Sequence, residues 1–104
     1  MIEHIVLMKT KGRVSKEILN RAADGLKSMD KNIEGIIKIL VGTNTSPEHK
    51  DFGYDFGLVV QFKTAADRDD YLAHPYHRKM AKEYISKYME QLLVFDLEYK
   101  DGEL

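Results

Sequence analysis

The chain predicts an α+β domain with the element order β-α-β-β-α-β, and three observations carry it. Strand-like segments alternate or concentrate branched apolar residues, two further segments repeat apolar residues at helical spacing, and turn-forming residues fall between them. At 104 residues the chain suffices for one core and not two. Residues 1–104 therefore read as a single domain, its core at about 2–99.

Ile2 to Thr10 reads as the first strand, with His4, Val6 and Met8 on one face and Ile5 and Leu7 on the other. Gly12-Arg13 marks a turn, and Ser15 is placed to cap a helix whose first turn holds Glu17. Ile18, Ala22, Leu26, Met29 and Ile33 then recur at helical spacing, predicting about four turns that end at Asn32 to Gly35. Ile36 to Gly42 is rich in branched residues and reads as the second strand. Thr43 to Gly53 is a polar loop. Tyr54 to Lys63 alternates, with Phe56, Leu58, Val60 and Phe62 on one face.

Thr64-Ala65-Ala66-Asp67 has the form of a capping box and opens a short helix ending near Ala73. Pro75 suits the first turn of a second helical piece running to about Glu90, where a missing N–H costs nothing. Gln91 to Tyr99 is the last strand, and Lys100 to Leu104 a tail. The arrangement is ferredoxin-like, with helices on one face of an antiparallel sheet. The other face is apolar too, so a lone subunit would leave it wet, and a second copy across a two-fold axis would bury it.

Composition narrows the partners. Sixteen basic and seventeen acidic residues leave a formal charge of −1, which gives no footprint for nucleic acid or an anionic membrane. There is no cysteine, and so no disulfide, thiol nucleophile or Cys-zinc site. The start lacks a basic leader pattern and no apolar run reaches membrane-spanning length, which points to a cytoplasmic protein. No nucleotide fingerprint or complete metal-ligand cluster appears, so neither a cofactor nor a metal is expected.

The densest chemistry lies in Asp70 to His77, where a phenol and two imidazoles surround a proline. His77 can take a proton near neutral pH, and Tyr71 can polarise a carbonyl oxygen if a bend at Pro75 brings both over one cavity. The plainer alternative is a structural hinge. His74, directly before Pro75, is assigned to that hinge, and with His77 it makes only an incomplete metal pair. His4 serves equally as core histidine or pocket liner. Tyr76, Met80, Tyr84 and Tyr88 form a packing stripe from which Tyr84 or Tyr88 is placed to lend a hydroxyl. Asp67-Arg68-Asp69-Asp70 reads as a solvated helix face.

Several stretches resemble the stress-responsive dimeric α/β-barrel (Dabb) family: Glu3 to Lys9, Gly42 to Glu48, Gly53-Tyr54-Asp55, Phe62 to His77 and Leu92 to Asp96. The likeness covers about residues 2–99, and its most specific element is His74-Pro75-Tyr76-His77. The resemblance implies a homodimer whose two sheets close into a barrel, with a pocket in each subunit between sheet and helices. It also implies, through the olivetolic acid cyclase branch, cofactor-free acid–base chemistry by residues matching Tyr71 and His77, with one matching His4 lining the pocket. Phe56 stands where that branch has a histidine and Leu26 where it has a tyrosine, changes that make the expected substrate-binding wall of His4, Leu26, Phe56 and Tyr84 more apolar.

Three functions compete. One is cofactor-independent cyclase, lyase or isomerase chemistry on a small carbonyl or phenolic compound. The second is a non-catalytic stress or ligand-binding barrel, and the third a cofactor-free monooxygenase. An open cavity beside His77 favours an enzyme; one filled by Phe56 and the helix tyrosines favours the second reading.

Overall fold

A computed structural model describes residues 1–101; the last three residues of the expected tail, 102–104, lie outside the described residues. Four strands, β1 (Ile2–Thr10), β2 (Ile36–Thr43), β3 (Phe56–Phe62) and β4 (Met89–Glu98), form one sheet in the order β2-β3-β1-β4. Every neighbouring pair is antiparallel. The helices are α1 (Lys16–Lys27), α2 (Met29–Asn32), α3 (Ala65–Ala73) and α4 (Pro75–Met80), with a π-helical segment at Ala81–Ser86. This is the ferredoxin-like α+β fold.

Alternation decides which residues enter the core. Ile2, His4, Val6 and Met8 from β1 and Phe56, Leu58, Val60 and Phe62 from β3 all point toward the helices and are buried. Leu26, Met29, Ile33, Tyr71, Met80 and Ile85 close over them. Each fully buried large side chain contributes about 1.5–3 kcal/mol. The opposite face stays open, with Leu7, Leu40, Leu93, Phe95 and Leu97 exposed. Register pairs Leu7 with Leu93 and Ile5 with Phe95, so the exposed residues form one continuous apolar surface.

The caps fall as expected. Ser15 Oγ accepts from the Ile18 N–H at 3.2 Å and Thr64 Oγ1 from the Asp67 N–H at 3.2 Å. The expected four-turn helix, however, breaks at Ser28. Its hydroxyl bonds back to the Gly25 carbonyl at 2.5 Å and meets the Tyr76 hydroxyl at 2.7 Å, a pattern that bends helices. The short α2 then ends at an extended Ile33, and Gly35, at φ +93°, takes the left-handed turn into β2.

The other strand ends shift by one or two residues, and two of the boundary changes have a visible cause. β3 starts at Phe56 and not Tyr54, because Tyr54 and Asp55 finish the loop: the Asp55 side chain bonds the Thr10 N–H and hydroxyl. The second helical piece stops short of Glu90, since the backbone widens to a π turn after Met80 and Met89 already begins β4.

Candidate functional site

Pro75 creates the site by breaking one helix and starting another. The residue before a proline is pushed out of the helical region, and His74 adopts φ −69° and ψ 134°. His74 Nδ1 accepts from the Tyr76 N–H at 3.0 Å and so caps α4. The bend lays His77 of α4 against Tyr71 of α3, their ring centroids 4.3 Å apart. Tyr71 also leans on Phe62 at 5.1 Å and meets the edge of His4 at 5.6 Å.

These three polar rings face one cavity of about 390 Å³ between the helices and the β1–β4 side of the sheet. Its remaining wall is mostly apolar, including Val6, Leu26, Met29, Leu58, Ile85 and Val94. The volume lies in the range of small-molecule sites. The π turn contributes Ala81, Ile85 and Ser86 to the wall. Such turns recur at functional sites because they re-aim side chains within a helix.

Protonation follows from hydrogen bonding. His77 Nδ1 lies 3.2 Å from the Leu72 carbonyl, which can only accept, so Nδ1 carries the proton and Nε2 is left bare in the neutral ring. Burial holds the His77 imidazole below its ordinary value, opposed by the Leu72 bond and assisted by His4, Arg78 and His74. Burial, and secondarily the charge of Asp96, pushes the Tyr71 phenol well above the ordinary phenol range. At neutral pH the site therefore holds a neutral base beside a neutral hydroxyl donor.

His4 belongs to a second constellation. Its Nδ1 lies 2.7 Å from Asp96 Oδ1, and Asp96 Oδ2 accepts from Arg68 Nη1 at 3.0 Å. Arg68 is further held by Asp69 at 3.0 Å. Among the described residues no buried side-chain nitrogen or oxygen lacks a partner, and neither His4 Nε2 nor the Tyr71 hydroxyl makes a hydrogen bond. Both atoms therefore reach open space, and the space their residues line is the cavity.

The expected residues divide. His4, Leu26, Tyr71 and His77 line the cavity; Phe56 and Tyr84 do not. Phe56 sits under the β2–β3 loop with Tyr54 and Gly57, at the far end of β3. The Tyr84 ring lies over Gly25 of α1, where a Cβ would strike it. Arg68 is also not the solvated residue that its charge run implied. It and Asp96 went unrecognised; the available signal was an aspartate ending the apolar run Leu92 to Phe95, on the register partner of His4.

Among the described residues no group of three or more histidine and carboxylate side chains is arranged to hold a metal ion. No helix among them is long and apolar enough to cross a membrane.

The fold has many relatives of known structure. A protein of Arabidopsis thaliana superposes with a TM-score of 0.90 at 24% identity, covering 100% of both chains. A dimeric ferredoxin-like protein of Jannaschia sp. gives 0.80 at 24% identity, over 94% of this chain and 98% of its own. Hydroxynitrile lyase from Passiflora edulis gives 0.85 at 19% identity, over 96% of this chain and 94% of its own. No curated protein matches the sequence. The model of the stress-responsive A/B barrel domain matches residues 2–99, nearly the whole chain, and this protein belongs to that Dabb family.

Proposed function

We propose that the protein is a homodimer in which each subunit binds a small, largely apolar carbonyl or phenolic compound beside Tyr71 and His77, and moves a proton on it without a cofactor. The observation that carries this reading is the pairing of a bare His77 Nε2 with the unpartnered Tyr71 hydroxyl at the head of an otherwise apolar cavity. His77 takes a proton from the ligand through Nε2 while the Tyr71 hydroxyl donates to the oxygen on which charge develops. The lowered proton affinity of His77 keeps the base free at neutral pH. Cyclase, lyase and isomerase reactions share this step. The open volume, with Phe56 and Tyr84 outside it, supports a ligand-holding site over a filled, vestigial one.

The dimer rests on the open sheet face. Burying apolar area is worth about 25 cal/mol per Å², so several hundred Å² of Leu7, Leu40, Leu93, Phe95 and Leu97 surface favours a second copy. Dimeric assembly of the Jannaschia protein on the same fold supports it. Light scattering that finds a stable 12.0 kDa species at micromolar concentration overturns the dimer.

The site is tested by following the His77 imidazole by NMR across pH, with and without small phenols and β-keto acids. A ligand-dependent shift in its titration, absent from His77→Ala, supports the reading. If no compound perturbs His77 and the substitution only lowers the melting temperature, the catalytic reading fails.

A further inference from the structure

The open sheet face carries a gap that its own subunit does not require. Gly42 of β2 and Gly57 of β3 are direct cross-strand partners at outward positions, in the rung that continues through Leu7 to Leu93. Glycine inside a strand loses packing and conformational entropy, and it often marks a place where another group comes close. Neither residue has the left-handed φ that would call for glycine. A Cβ on Gly42 would meet nothing within 4 Å, and one on Gly57 only ordinary contacts at 3.8 Å, from Leu7 and the Val6 carbonyl. The subunit alone would accept a side chain at either position. What the pair leaves is a hollow of about 470 Å³, walled by Leu7, Leu93 and the β2–β3 loop.

That loop brings an aromatic ring to the rim. Phe52 holds φ +55°, a conformation that is costly for a bulky residue, and stands 84% exposed. The loop is braced: Asn44 Nδ2 donates to Asp51 Oδ2 at 2.7 Å, and the Gly53 N–H to Asp51 Oδ1 at 2.9 Å. The hollow is thus a formed socket with an apolar floor and an aromatic edge.

We propose that in the homodimer the Phe95 ring of each subunit seats in the partner's hollow, over Gly42 and Gly57. The inference rests on the dimer proposed above and supplies the contact that sets how its two sheets lie on each other. Phe95 is the aromatic ring of the apolar rungs, in line with Ile5, Val59 and Leu40. Strands about 4.8 Å apart put it about 12 Å from the hollow across the sheet and about 7 Å along it. The midpoint of that offset falls beside β1, between Ile5 and Leu7, at the centre of the apolar surface. A two-fold axis lying in the interface there, oblique to the strands, exchanges the two positions. Each Phe95 then meets the other subunit's hollow, as a closed, self-complementary interface requires. In a chain whose Cα atoms span 38 × 33 × 18 Å, this face can supply the about 800 Å² per partner of a standard interface.

The test fills the socket and removes the knob, with dissociation constants read by sedimentation equilibrium and the fold by circular dichroism. Gly57→Leu adds apolar surface to the face, so unspecific hydrophobic packing would tighten the dimer. The seated ring instead predicts a loss of at least about thirtyfold, and Phe95→Ala a loss of similar size, as for an anchor at an interface centre. Mixed in equal amounts, the two variants should pair with each other more tightly than either pairs with itself. One junction of that heterodimer is unaltered, and the other sets the added leucine opposite the shortened side chain. Gly42→Leu repeats the measurement if Gly57→Leu disturbs the fold. If the unaltered protein dimerises and neither leucine variant weakens it, the hollow lies outside the interface; the proposal is overturned and the dimer stands. If filling the hollow dissociates the dimer but Phe95→Ala does not, or the mixture shows no preference, another group occupies the hollow and the assignment of Phe95 is overturned. A monomeric unaltered protein removes the dimer and the seated ring together.

Discussion

His4 and Asp96 are direct cross-strand partners on β1 and β4, and their side chains meet at 2.7 Å although 92 residues separate them in the chain. An antiparallel register fixes that pairing, and Arg68 reaches it from α3. The pair thus couples the sheet to the helix that carries Tyr71. Replacing Asp96 with Ala removes one of the two carboxylates that hold Arg68 and frees the His4 ring. It is expected to cost about 1–3 kcal/mol, read as a lower urea midpoint with an unchanged slope.

Tyr71 separates packing from chemistry. Its ring is buried against Phe62, His4 and His77, but its hydroxyl bonds to no described residue. Tyr71→Phe should therefore leave stability within about 0.5 kcal/mol, while Tyr71→Ala costs about 3–5 kcal/mol by opening a void. Urea unfolding of the two variants checks this. A Phe variant that is strongly destabilised would show that the hydroxyl is structural.

Stability should depend on pH through His77. Burial holds its imidazole below the ordinary 6.5, so as pH falls the unfolded chain takes up the proton first. The contribution is complete above about pH 6.5 and is lost as pH drops from there through the lower folded value. His77→Gln removes this component. Urea midpoints taken at about pH 7 and about pH 5 should fall further for the unaltered protein than for the variant.

Catalytic loss and structural loss should separate at the same residue. Once a turned-over compound is in hand, His77→Ala should reduce turnover by about 10²–10⁴-fold with the oligomer intact, and Tyr71→Phe by less. Steady-state rates and sedimentation on the same samples distinguish the two effects.

The open sheet face gives an assembly prediction. Phe95 is 57% exposed on β4 and packs on little within its own subunit. Phe95→Lys should leave the fold intact and produce monomers, because a second copy covering this face would have to bury an unpaired ammonium in an apolar surface. Sedimentation velocity checks the mass and circular dichroism the fold.

The sheet and the hinge were legible because local patterns encode them. Period-two alternation in β3 identified Phe56, Leu58, Val60 and Phe62 as inward, and the geometry of Pro75 forced the break that brings Tyr71 and His77 together. Arg68 was not legible: its neighbours Asp67, Asp69 and Asp70 describe a wet helix face, while its decisive partner lies on a strand 28 residues away. Phe56 faces the correct side of the sheet but sits too far along β3 to reach the cavity, a distance that alternation does not report. Tyr84 is diverted by the bare Cα of Gly25 on another helix. The break at Ser28 also escapes periodicity, since it depends on a hydroxyl contact with Tyr76.

The π turn at Ala81–Ser86 has a consequence for how this scaffold diversifies. A π turn closes its hydrogen bond one residue later than an α turn, so it holds one residue in reserve. Shortening the segment by one residue is expected to convert it to α-helix and rotate Ala81, Ile85 and Ser86 relative to His77. The sheet registers and the Tyr71–His77 contact lie outside the altered stretch. Indels confined to these six positions therefore offer an evolutionary route, and a design handle, for remoulding the ligand-facing wall while the proton-handling groups keep their places.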